Sequence, residues 1–354
     1  MNSVTFPAKP RTAVIGAGAV GSVVAGLLGD AGHDVTVIDQ WPANVEAMKA
    51  QGVRLSGTCG DRVVPLPVLH IHEVQSITEP FDLMLLAVKS YDTDWATTLG
   101  AAHLAADGTF VTLQNGINDP RVAEIVGVER ALGCVTLIGV AMAGPGHGMR
   151  TDNDPLSFKI GEHDGSDSDR ARWVAGVMGD INGAVVTLNL WGDRWSKLAL
   201  NCMVNPLAAL TGFGAAEVRL DERCQRIGVK LGAEAIEVGR AAGHEVEPVF
   251  GIAPQDVIDA GRGIRTEDAM ASIAAGAEAR GNGWPSMLQD VRRKRRTEVD
   301  YLNGYVADEG RRLGIATPVN DAIVEIFAPL GTDFEPRPDR VDPLLKVVEA
   351  HVPA

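Results

Sequence analysis

Three polar residues near the middle of the chain recur at a spacing that would place a cationic acid beside two amide anchors. Lys197, Asn201 and Asn205 stand four residues apart in the segment DRWSKLALNCMVNPLAAL. Residues four apart share one face of an α-helix, so the ammonium and the two amides would lie together. An ammonium group can act as a general acid, and amides can anchor the polar groups of a ligand. The alternative is a polar stripe that faces solvent, although such a stripe would usually carry more charge.

The helix that carries these residues should be largely buried, because the residues between them are apolar. A buried lysine and two buried amides cost free energy unless each has a partner. Asp193 can cap the start of this helix. Pro206 should kink or end it directly after Asn205, which would open backbone carbonyls to a ligand.

A second candidate group lies on a helix predicted from Pro285 through Tyr305. Ser286 stands at its start, where a hydroxyl and unpaired backbone N–H groups suit a carboxylate. Glu298 lies ~18 Å further along an ideal helix axis, so both reach one small substrate only if the helix bends. Taken singly, Ser286 is equally an ordinary helix cap, and Glu298 an ordinary surface acid. The five cations Arg292–Arg296 are interpreted mainly as a solvated face of this helix.

The element that would position a cofactor is the segment TAVIGAGAVGSVVAGLLGDAGHDVTVID, residues 12–39. The β-branched and apolar run Thr12–Ile15 predicts a strand, and Val20–Leu28 predicts a helix packed on a sheet. Asp34–Ile38 then restores a strand. The order strand, glycine turn, helix, strand is that of a βαβ unit in a dinucleotide-binding fold.

Three glycines in the turn follow the spacing G-x-G-x-x-G. Gly16 permits the tight turn, Gly18 lets backbone approach a pyrophosphate, and Gly21 lets the helix pack closely on the strand. The N–H groups at the helix start, including those of Ala19 and Val20, would bind the anion. The alternative is a glycine-rich turn that binds no ligand.

Asp39, at the end of the second strand, bears on the choice between NAD and NADP. An acid there can accept hydrogen bonds from the adenosine ribose hydroxyls and would repel a 2′-phosphate. Two unit charges ~4 Å apart at an effective dielectric of ~20 interact by ~4 kcal/mol before screening. Residues 40–42 offer no cation, so NAD is favoured over NADP. Asp39 could instead be a solvated strand end, and Arg54 or Arg62 could supply a cation from elsewhere.

Two further predicted strands end in polar side chains. One is the apolar run Phe81–Lys89, which ends in a lysine. The other is Thr109–Asn115, which ends in an asparagine. The carboxyl ends of strands in such sheets face the ligand crevice, which places Lys89 to meet cofactor or substrate. Asn115 can hold a nicotinamide ribose or a substrate oxygen. The alternatives are a lysine in solvent and a turn-forming asparagine before Gly116.

The remaining pattern predicts an α/β fold: an N-terminal Rossmann-like dinucleotide-binding domain, residues 1–189, and an all-helical substrate and catalytic domain, residues 190–354. His147 is interpreted as a loop histidine. The other predicted elements are helices at Asn44–Ala50 and Ser168–Ile181, strands at Val53–Leu55, Val63–Val68, Ala131–Ala141, Leu156–Gly161 and Ala184–Leu188, and a turn-rich segment at Gly144–Asp154.

Composition excludes several classes of function. A net charge of −14 over 354 residues argues against nucleic acid as a partner. No apolar run reaches the ~20 residues that span a bilayer, and the N-terminus is too polar for a secretory signal. The four cysteines lack metal-finger spacing and indicate reduced thiols in a cytoplasmic protein. We expect a small-molecule substrate, and the sequence is compatible with a homodimer.

Taken together, these residues resemble the ketopantoate reductase (2-dehydropantoate 2-reductase) family over most of the chain. The motifs that carry the resemblance are GAGAVG, AVK at Lys89, LQNG at Asn115, KLALNCMVNP at Lys197–Pro206 and SMLQDVRRKRRTEVDYLNG at Ser286–Gly304. The resemblance implies NAD(P)-dependent hydride transfer between nicotinamide and a 2-keto or 2-hydroxy acid, with ketopantoate reduced to pantoate.

The resemblance also implies a role for each candidate residue. Lys197 would be the general acid that protonates the ketone oxygen. Glu298 would orient this lysine or a ligand hydroxyl, which also places it among the cofactor contacts. Asn201 and Asn205 would hold the substrate hydroxyl, and Ser286 would bind the substrate carboxylate. Lys89 and Asn115 would lie where the nicotinamide meets the substrate.

Two departures from the family pattern keep other functions open. Ala215 stands where members commonly carry a third asparagine, and Asp39-Gln40 stands where many carry an arginine for NADP. Both favour a second hypothesis, oxidation of a different hydroxy acid or secondary alcohol with NAD. A third hypothesis is a dinucleotide-sensing protein without catalysis. Lys197 and Glu298 argue against the third, because a sensor need not keep an acid–base pair.

Overall fold

The computed structural model describes residues 6–152, 157–181, 183–275, 277 and 281–351. The chain divides into two compact units. The sheet unit comprises residues 1–114 and 118–190, and the helical unit comprises residues 115–117 and 191–354. The expected fold class, an N-terminal α/β part followed by a helical part, is confirmed. The boundary at residues 189/190 between two independent domains stays a prediction.

Parallel strands dominate the sheet unit. Its described strands are β1 (Thr12–Ile15), β2 (Val35–Asp39), β3 (Val53–Gly57), β4 (Arg62–Val64), β5 (Val68–His70), β6 (Phe81–Leu86), β7 (Leu104–Thr112), β8 (Ala131–Leu137), β9 (Val140–Gly144), β10 (His147–Arg150), β11 (Ser157–Gly161) and β12 (Ala184–Val186). Its described helices are α1 (Ala19–Asp30), α2 (Pro42–Gln51), α3 (Thr93–Ala101), α4 (Asp119–Val126) and α5 (Asp169–Gly179).

The large sheet has the strand order β12-β11-β8-β7-β6-β1-β2-β5. Its neighbours pair in parallel, apart from the antiparallel pair β8 and β11. All four residues of β1 are buried, as expected for a central strand covered on both faces. Strand β1 pairs with β2 on one side and with β6 on the other, so the strand order reverses direction beside β1. This reversal is the topological switch point at which open α/β sheets bind ligands.

A second sheet, with the order β4-β3-β10-β9, packs on α1. It corrects three sequence predictions. The predicted strand at Val63–Val68 is split, because β4 joins the small sheet while β5 pairs with β2. The predicted strand at Ala131–Ala141 is likewise β8 of the large sheet and the start of β9. Pro65 and Pro67 separate β4 from β5, and Gly139 separates β8 from β9, so each predicted strand contains a break.

The third correction concerns the predicted turn-rich segment at Gly144–Asp154, which contains strand β10. His147 opens this strand and is not a loop histidine. Its Nε2 lies 2.7 Å from the hydroxyl of Ser56 on the neighbouring β3. Residues 153–156, which include the end of the turn prediction and the first residue of the predicted strand Leu156–Gly161, lie outside the described residues.

The helical unit is built around one buried apolar core. Its helices are α6 (Leu190–Thr211), which begins on the last residue of the sheet unit, α7 (Ala215–Leu220), α8 (Glu222–Ala241), α9 (Pro254–Gly261), α10 (Thr266–Ala274), α11 (Ser286–Arg292), α12 (Asn303–Leu313), α13 (Pro318–Phe327) and α14 (Asp342–Ala350). Within the described ranges, no helix has both the length and the apolarity needed to cross a membrane.

Helix α6 begins earlier than predicted and does not end at Pro206. It begins at Leu190, so Asp193 lies in the first turn and is not the cap. It also continues through Pro206 to Thr211, because a proline inside a buried helix is tolerated when packing holds both flanks. Pro206 has no N–H, so the carbonyl of Cys202 lacks the usual donor four residues on. Gly212, at φ +84°, then ends the helix.

The predicted helix from Pro285 through Tyr305 was wrong. Helix α11 ends at Arg292, a short 3₁₀ turn follows at Val299–Tyr301, and α12 begins at Asn303. Lys294 adopts φ +53°, a left-handed conformation that cannot continue an α-helix. The five cations at 292–296 are exposed, as expected, but they lie on the end of α11 and the following turn.

The buried carboxylate of Glu234 holds α8 to the start of α13. Its Oε1 accepts from the N–H of Val319 at 3.1 Å, and its Oε2 accepts from the N–H and Nδ2 of Asn320 at 3.0 and 2.8 Å. Glu234 is 1% exposed. This burial raises its pKa to about 7, although the three donors oppose the rise.

We expect Glu234→Ala to lower the free energy of unfolding by ~3–5 kcal/mol, because three buried donors lose their acceptor. The raised pKa sets the pH dependence. Between its ordinary value of 4.5 and about 7, the folded protein keeps a proton that the unfolded chain has released. The stability linked to this proton is therefore present at low pH and lost as the pH rises through about 7. Urea denaturation from pH ~5 to ~8 should show the parent losing ~2–3 kcal/mol relative to the variant.

Glu237→Ala is the matched control, because Glu237 is also on α8 but forms a partly exposed ion pair with Arg262 at 2.6 Å. Its loss should cost less than ~1 kcal/mol. Equal losses in the two variants, or an unchanged pH slope in Glu234→Ala, would contradict the assignment.

Candidate functional site

Helix α6 carries the predicted stripe of Lys197, Asn201 and Asn205, each one turn after the last. Asn201 is 4% exposed and Asn205 is 6% exposed, while Lys197 is half-buried. The two amides are therefore not part of a solvated face. Amides buried at this level require hydrogen-bond partners, which a bound acid could supply or share.

Asn115 belongs to the helical unit, although it follows strand β7 of the sheet unit. The strand ends at Thr112, so the predicted strand over Thr109–Asn115 stops three residues short. The Nδ2 of Asn201 donates to the Oδ1 of Asn115 at 3.3 Å. Ile117, two residues later, packs in the core of the helical unit. The structure thus brings Asn115 to the polar stripe of α6.

Ser286 and Glu298 occupy separate elements of the helical unit. Ser286 is the first residue of α11 and is half-buried. Glu298 is 4% exposed and stands directly before the 3₁₀ turn, so it is not a surface acid. The break after Arg292 removes the straight-helix separation of ~18 Å that the sequence pattern had implied.

The glycine turn after β1 has the geometry of a phosphate-binding loop. Gly16 has φ +95°, and a Cβ there would lie 2.7 Å from the backbone N of Val88. A Cβ on Gly21 would lie 1.8 Å from the carbonyl oxygen of Gly16. At Gly18, by contrast, a Cβ would meet no atom within 4 Å. The turn is closed on its inner side and open at Gly18, where a pyrophosphate would approach.

The start of α1 also fits an anion. This twelve-residue helix has Gly18 as its N-cap, no side chain that caps it and no acid in its first turn. Its first N–H groups, which include those of Ala19 and Val20, point outward from the helix start. The residues present therefore suit the pyrophosphate of a dinucleotide.

Asp39 holds the glycine turn as well as marking the end of β2. Its Oδ2 accepts from the N–H of Ala17, and its Oδ1 accepts from the N–H of Trp41 at 2.6 Å. The sequence analysis missed Asn44, which is fully buried beside it. The Nδ2 of Asn44 donates to the carbonyl of Ala17 at 2.9 Å, and its Oδ1 accepts from the N–H of Gly146 at 2.6 Å. An asparagine in the first turn of a helix was the available signal.

Arg62 and Arg54, the two cations considered as partners for a 2′-phosphate, lie in other parts of the sheet unit. Arg62 pairs with Asp30 and also donates to the carbonyl of Cys59. Arg54 lies on β3 of the small sheet. Gln40, directly after Asp39, donates to Asp92 at 3.0 Å, which brings a second carboxylate to this part of the sheet unit.

Lys89 lies three residues beyond the end of β6, in the segment that leads into a 3₁₀ turn. The predicted strand therefore ends earlier than its lysine. Gln114 holds this segment, since its Nε2 donates to the carbonyl of Val88 at 3.0 Å and to the hydroxyl of Thr93 at 2.9 Å. Gln114 lies inside the predicted strand Thr109–Asn115, and no role was predicted for it. Its role depends on a contact across 26 residues.

Asn282 brings a side-chain amide to the start of α7, the helix whose first residue is Ala215. Its Oδ1 accepts from the N–H groups of Ala216 and Glu217 at 3.1 and 3.3 Å. Hydrogen bonds from the N–H of Gly214 and from the Asn282 side chain lower the pKa of Glu217. The segment that leads into Ser286 is thereby fastened to the start of α7. Among the described residues, no cluster of histidine, cysteine and acidic side chains could hold a metal ion.

Comparison with known proteins shows which family this chain resembles along its length. A family model described as ketopantoate reductase PanE/ApbA matches residues 12–165, and the model of its C-terminal region matches residues 189–330. The 2-dehydropantoate 2-reductase of Pyrococcus horikoshii is 28% identical over 312 residues, which cover 87% of this chain and 93% of that protein.

Two solved structures share the fold over nearly the full length. A PanE/ApbA family ketopantoate reductase from Ralstonia eutropha JMP134 has a TM-score of 0.73 at 25% identity, with 96% of this chain and 99% of that chain covered. D-mandelate dehydrogenase, solved with NADH and anilino(oxo)acetate, has a TM-score of 0.78 at 22% identity, with 94% and 99% covered. The second likeness shows the fold alone.

Proposed function

The chain belongs to the ketopantoate reductase PanE/ApbA family, and we propose that it catalyses the NAD(P)H-dependent reduction of ketopantoate to pantoate. The observation that carries this proposal is the stripe on α6. It combines a half-buried lysine with two buried amides and is joined to Asn115 by a hydrogen bond. A 2-keto acid needs these groups: a proton donor at its carbonyl oxygen and polar anchors for its other oxygens.

In the proposed reaction, Lys197 donates a proton to the carbonyl oxygen of the substrate, so that the C=O group becomes CH–OH. When bound, the nicotinamide supplies the hydride that the carbonyl carbon receives. Asn201 and Asn205 hold the substrate hydroxyl, and Ser286 binds the carboxylate. Glu298 orients the ammonium of Lys197 or a ligand hydroxyl.

The cofactor side of the proposal rests on the sheet unit. The backbone at Gly16, Gly18 and Gly21 and the start of α1 would bind the pyrophosphate. Asp39 would accept from the adenosine ribose. Lys89 and Asn115 would contact the nicotinamide half or the substrate.

A second candidate is the oxidation of another hydroxy acid or secondary alcohol with NAD. It is favoured by Ala215, which leaves an apolar side chain where family members commonly carry an amide that anchors the substrate. The nearby Asn282 is engaged with α7, so its amide already has partners in the helical unit. D-mandelate dehydrogenase, which shares the fold, supports testing an aromatic substrate.

A turnover assay with a substrate panel tests both candidates. The panel contains ketopantoate, phenylglyoxylate and an aliphatic 2-keto acid, each with NADH and NADPH, and the matching hydroxy acids with NAD. The highest kcat/KM on ketopantoate supports the first function. A clear preference for another acid supports the second. Cofactor binding without turnover on any member would leave a sensing protein and overturn both.

We expect kcat/KM with NADH to exceed that with NADPH by at least ~10-fold. Asp39 and Asp92 place two carboxylates in this part of the sheet unit, and residues 40–42 provide no cation. Asp39→Asn should narrow the gap, because it removes the charge and keeps one acceptor for the glycine turn. Glu46→Gln, an acid-to-amide change on α2, is the control. A preference of the parent enzyme for NADPH would contradict this expectation.

A further inference from the structure

Three buried polar side chains connect helices α8, α13 and α12 in the helical unit. Glu234 is 1% exposed, and Asn320 and Asn303 are fully buried. The Nδ2 of Asn303 donates to the Oδ1 of Asn320 at 2.9 Å. The Nδ2 of Asn320 donates in turn to Glu234 at 2.8 Å. We call this series Glu234–Asn320–Asn303 the buried polar relay.

One end of the relay reaches the turn that carries Glu298. Asn303 is the first residue of α12, and only Leu302 separates it from that turn. The carbonyl of Glu298 accepts from the N–H groups of Tyr301 and Leu302, both at 3.0 Å. The turn is therefore a short hydrogen-bonded unit, and its end is tied through Asn303 to α13.

The other end of the relay reaches the middle of α6. Burial and the negative charge of Glu234 raise the pKa of Cys202. The packing of α8 on α6 shows the same proximity: a Cβ on Gly232, two residues before Glu234, would lie 2.6 Å from the sulfur of Met203, the residue after Cys202. Cys202 is the residue after Asn201 on the helix that carries the polar stripe. The relay thus spans from the proposed catalytic helix to the Glu298 turn.

The buried side-chain amide of Asn303 is only partly satisfied by hydrogen bonds within the described part of the chain. Its Oδ1 is buried without a hydrogen-bond partner among the described residues. A buried carbonyl of this kind costs free energy that an apolar side chain would avoid. The amide is useful only through its Nδ2, which makes the bond to Asn320. An apolar side chain here would leave the buried Oδ1 of Asn320 without this donor, so the bond both satisfies Asn320 and ties the start of α12 to α13.

We propose that Asn303 is a positioning residue for Glu298: through Asn320 and Glu234 it fixes the Glu298 turn relative to α6. This inference rests on the proposed function, in which Glu298 acts together with Lys197. Asn303 itself contacts neither substrate nor cofactor in the proposed reaction. Displacement of a positioned group by about 1 Å can lower a rate by about 100-fold.

Four full-length variants test the proposal: Asn303→Ala, Glu298→Gln, the double variant Asn303→Ala/Glu298→Gln, and Val306→Ala. Val306 is fully buried on α12 and takes no part in the relay, so its truncation controls for lost stability. Asn303→Ala should lower kcat by about 10- to 100-fold with little change in KM. In the Glu298→Gln background the same change should lower kcat less than about 2-fold, because its effect passes through Glu298.

Amide hydrogen exchange gives a readout that does not depend on turnover. Asn303→Ala should speed exchange at Tyr301 and Leu302 by at least about 10-fold relative to Val306→Ala. Equal exchange in the two variants would overturn the proposal, as would a kcat loss that persists in full in the Glu298→Gln background. If the parent enzyme turns over no keto acid, the proposed function fails. The exchange measurement still decides whether Asn303 fixes the turn.

Discussion

Replacing Lys197 with alanine is expected to lower kcat by ~10²–10⁴-fold while the affinity for reduced cofactor stays nearly unchanged. Lys197 is the cation of the buried stripe, on the same face of α6 as Asn201 and Asn205. In the proposed reaction the carbonyl oxygen gains a proton as hydride arrives. Without a positioned acid, the developing alkoxide must take its proton from water. The cofactor loop belongs to the sheet unit, so its geometry should not depend on this lysine.

Steady-state kinetics and fluorescence titration with NADH measure the two quantities separately. Lys346→Ala is the matched control, because Lys346 is an exposed lysine on α14 of the same unit. The control should keep the kcat of the parent enzyme. If Lys197→Ala keeps a tenth or more of kcat, the role assigned to this lysine is wrong.

An added methyl group is expected to affect NADH binding at one glycine of the turn and protein stability at another. Gly18→Ala should weaken NADH binding by at least ~10-fold and leave the melting temperature within a few degrees of the parent. The space beside Gly18 is open to 4 Å, so the fold accommodates the methyl group, but a pyrophosphate could no longer approach the backbone. The Gly18 backbone, at φ −68° and ψ −164°, is also accessible to alanine.

Gly21→Ala should instead destabilise the protein by ~2–4 kcal/mol. A Cβ at this position lies 1.8 Å from the carbonyl oxygen of Gly16, so α1 must move away from the turn. Thermal denaturation and NADH titration of both variants test the pair. Unchanged NADH affinity in Gly18→Ala would mean that the turn does not bind the pyrophosphate, whatever the outcome for Gly21.

Several features of this protein follow from local sequence alone. Strand β1 has the predicted limits Thr12–Ile15, and α1 begins one residue before its predicted start. The polar stripe of α6 was likewise predicted from its spacing, and its two amides are buried as expected. These features depend on backbone sterics and on the periodicity of apolar residues. Both are properties of neighbouring positions, so sequence alone determines them.

Other features depend on which distant segments pack together. The short strands β4 and β5 lie within one predicted strand, yet they join different sheets because their partners lie elsewhere in the chain. The break after Arg292 places Lys294 in a left-handed conformation that helical periodicity does not reveal. Sequence periodicity records which residues favour a helix. It does not record which tertiary contacts will end one.

The proposed site also combines features that local sequence predicts with features that depend on tertiary packing. Lys197, Asn201, Ser286 and Glu298 were identified as residues capable of the chemistry, and their roles remain proposals. The hydrogen bond from Asn201 to Asn115 spans 86 residues, and the bond from Asn303 to Asn320 joins two helices. A hydrogen bond is directional and works over ~3 Å, so it forms only where the packed core has already brought both partners together. Sequence determined which groups are available, and tertiary packing decided which of them meet.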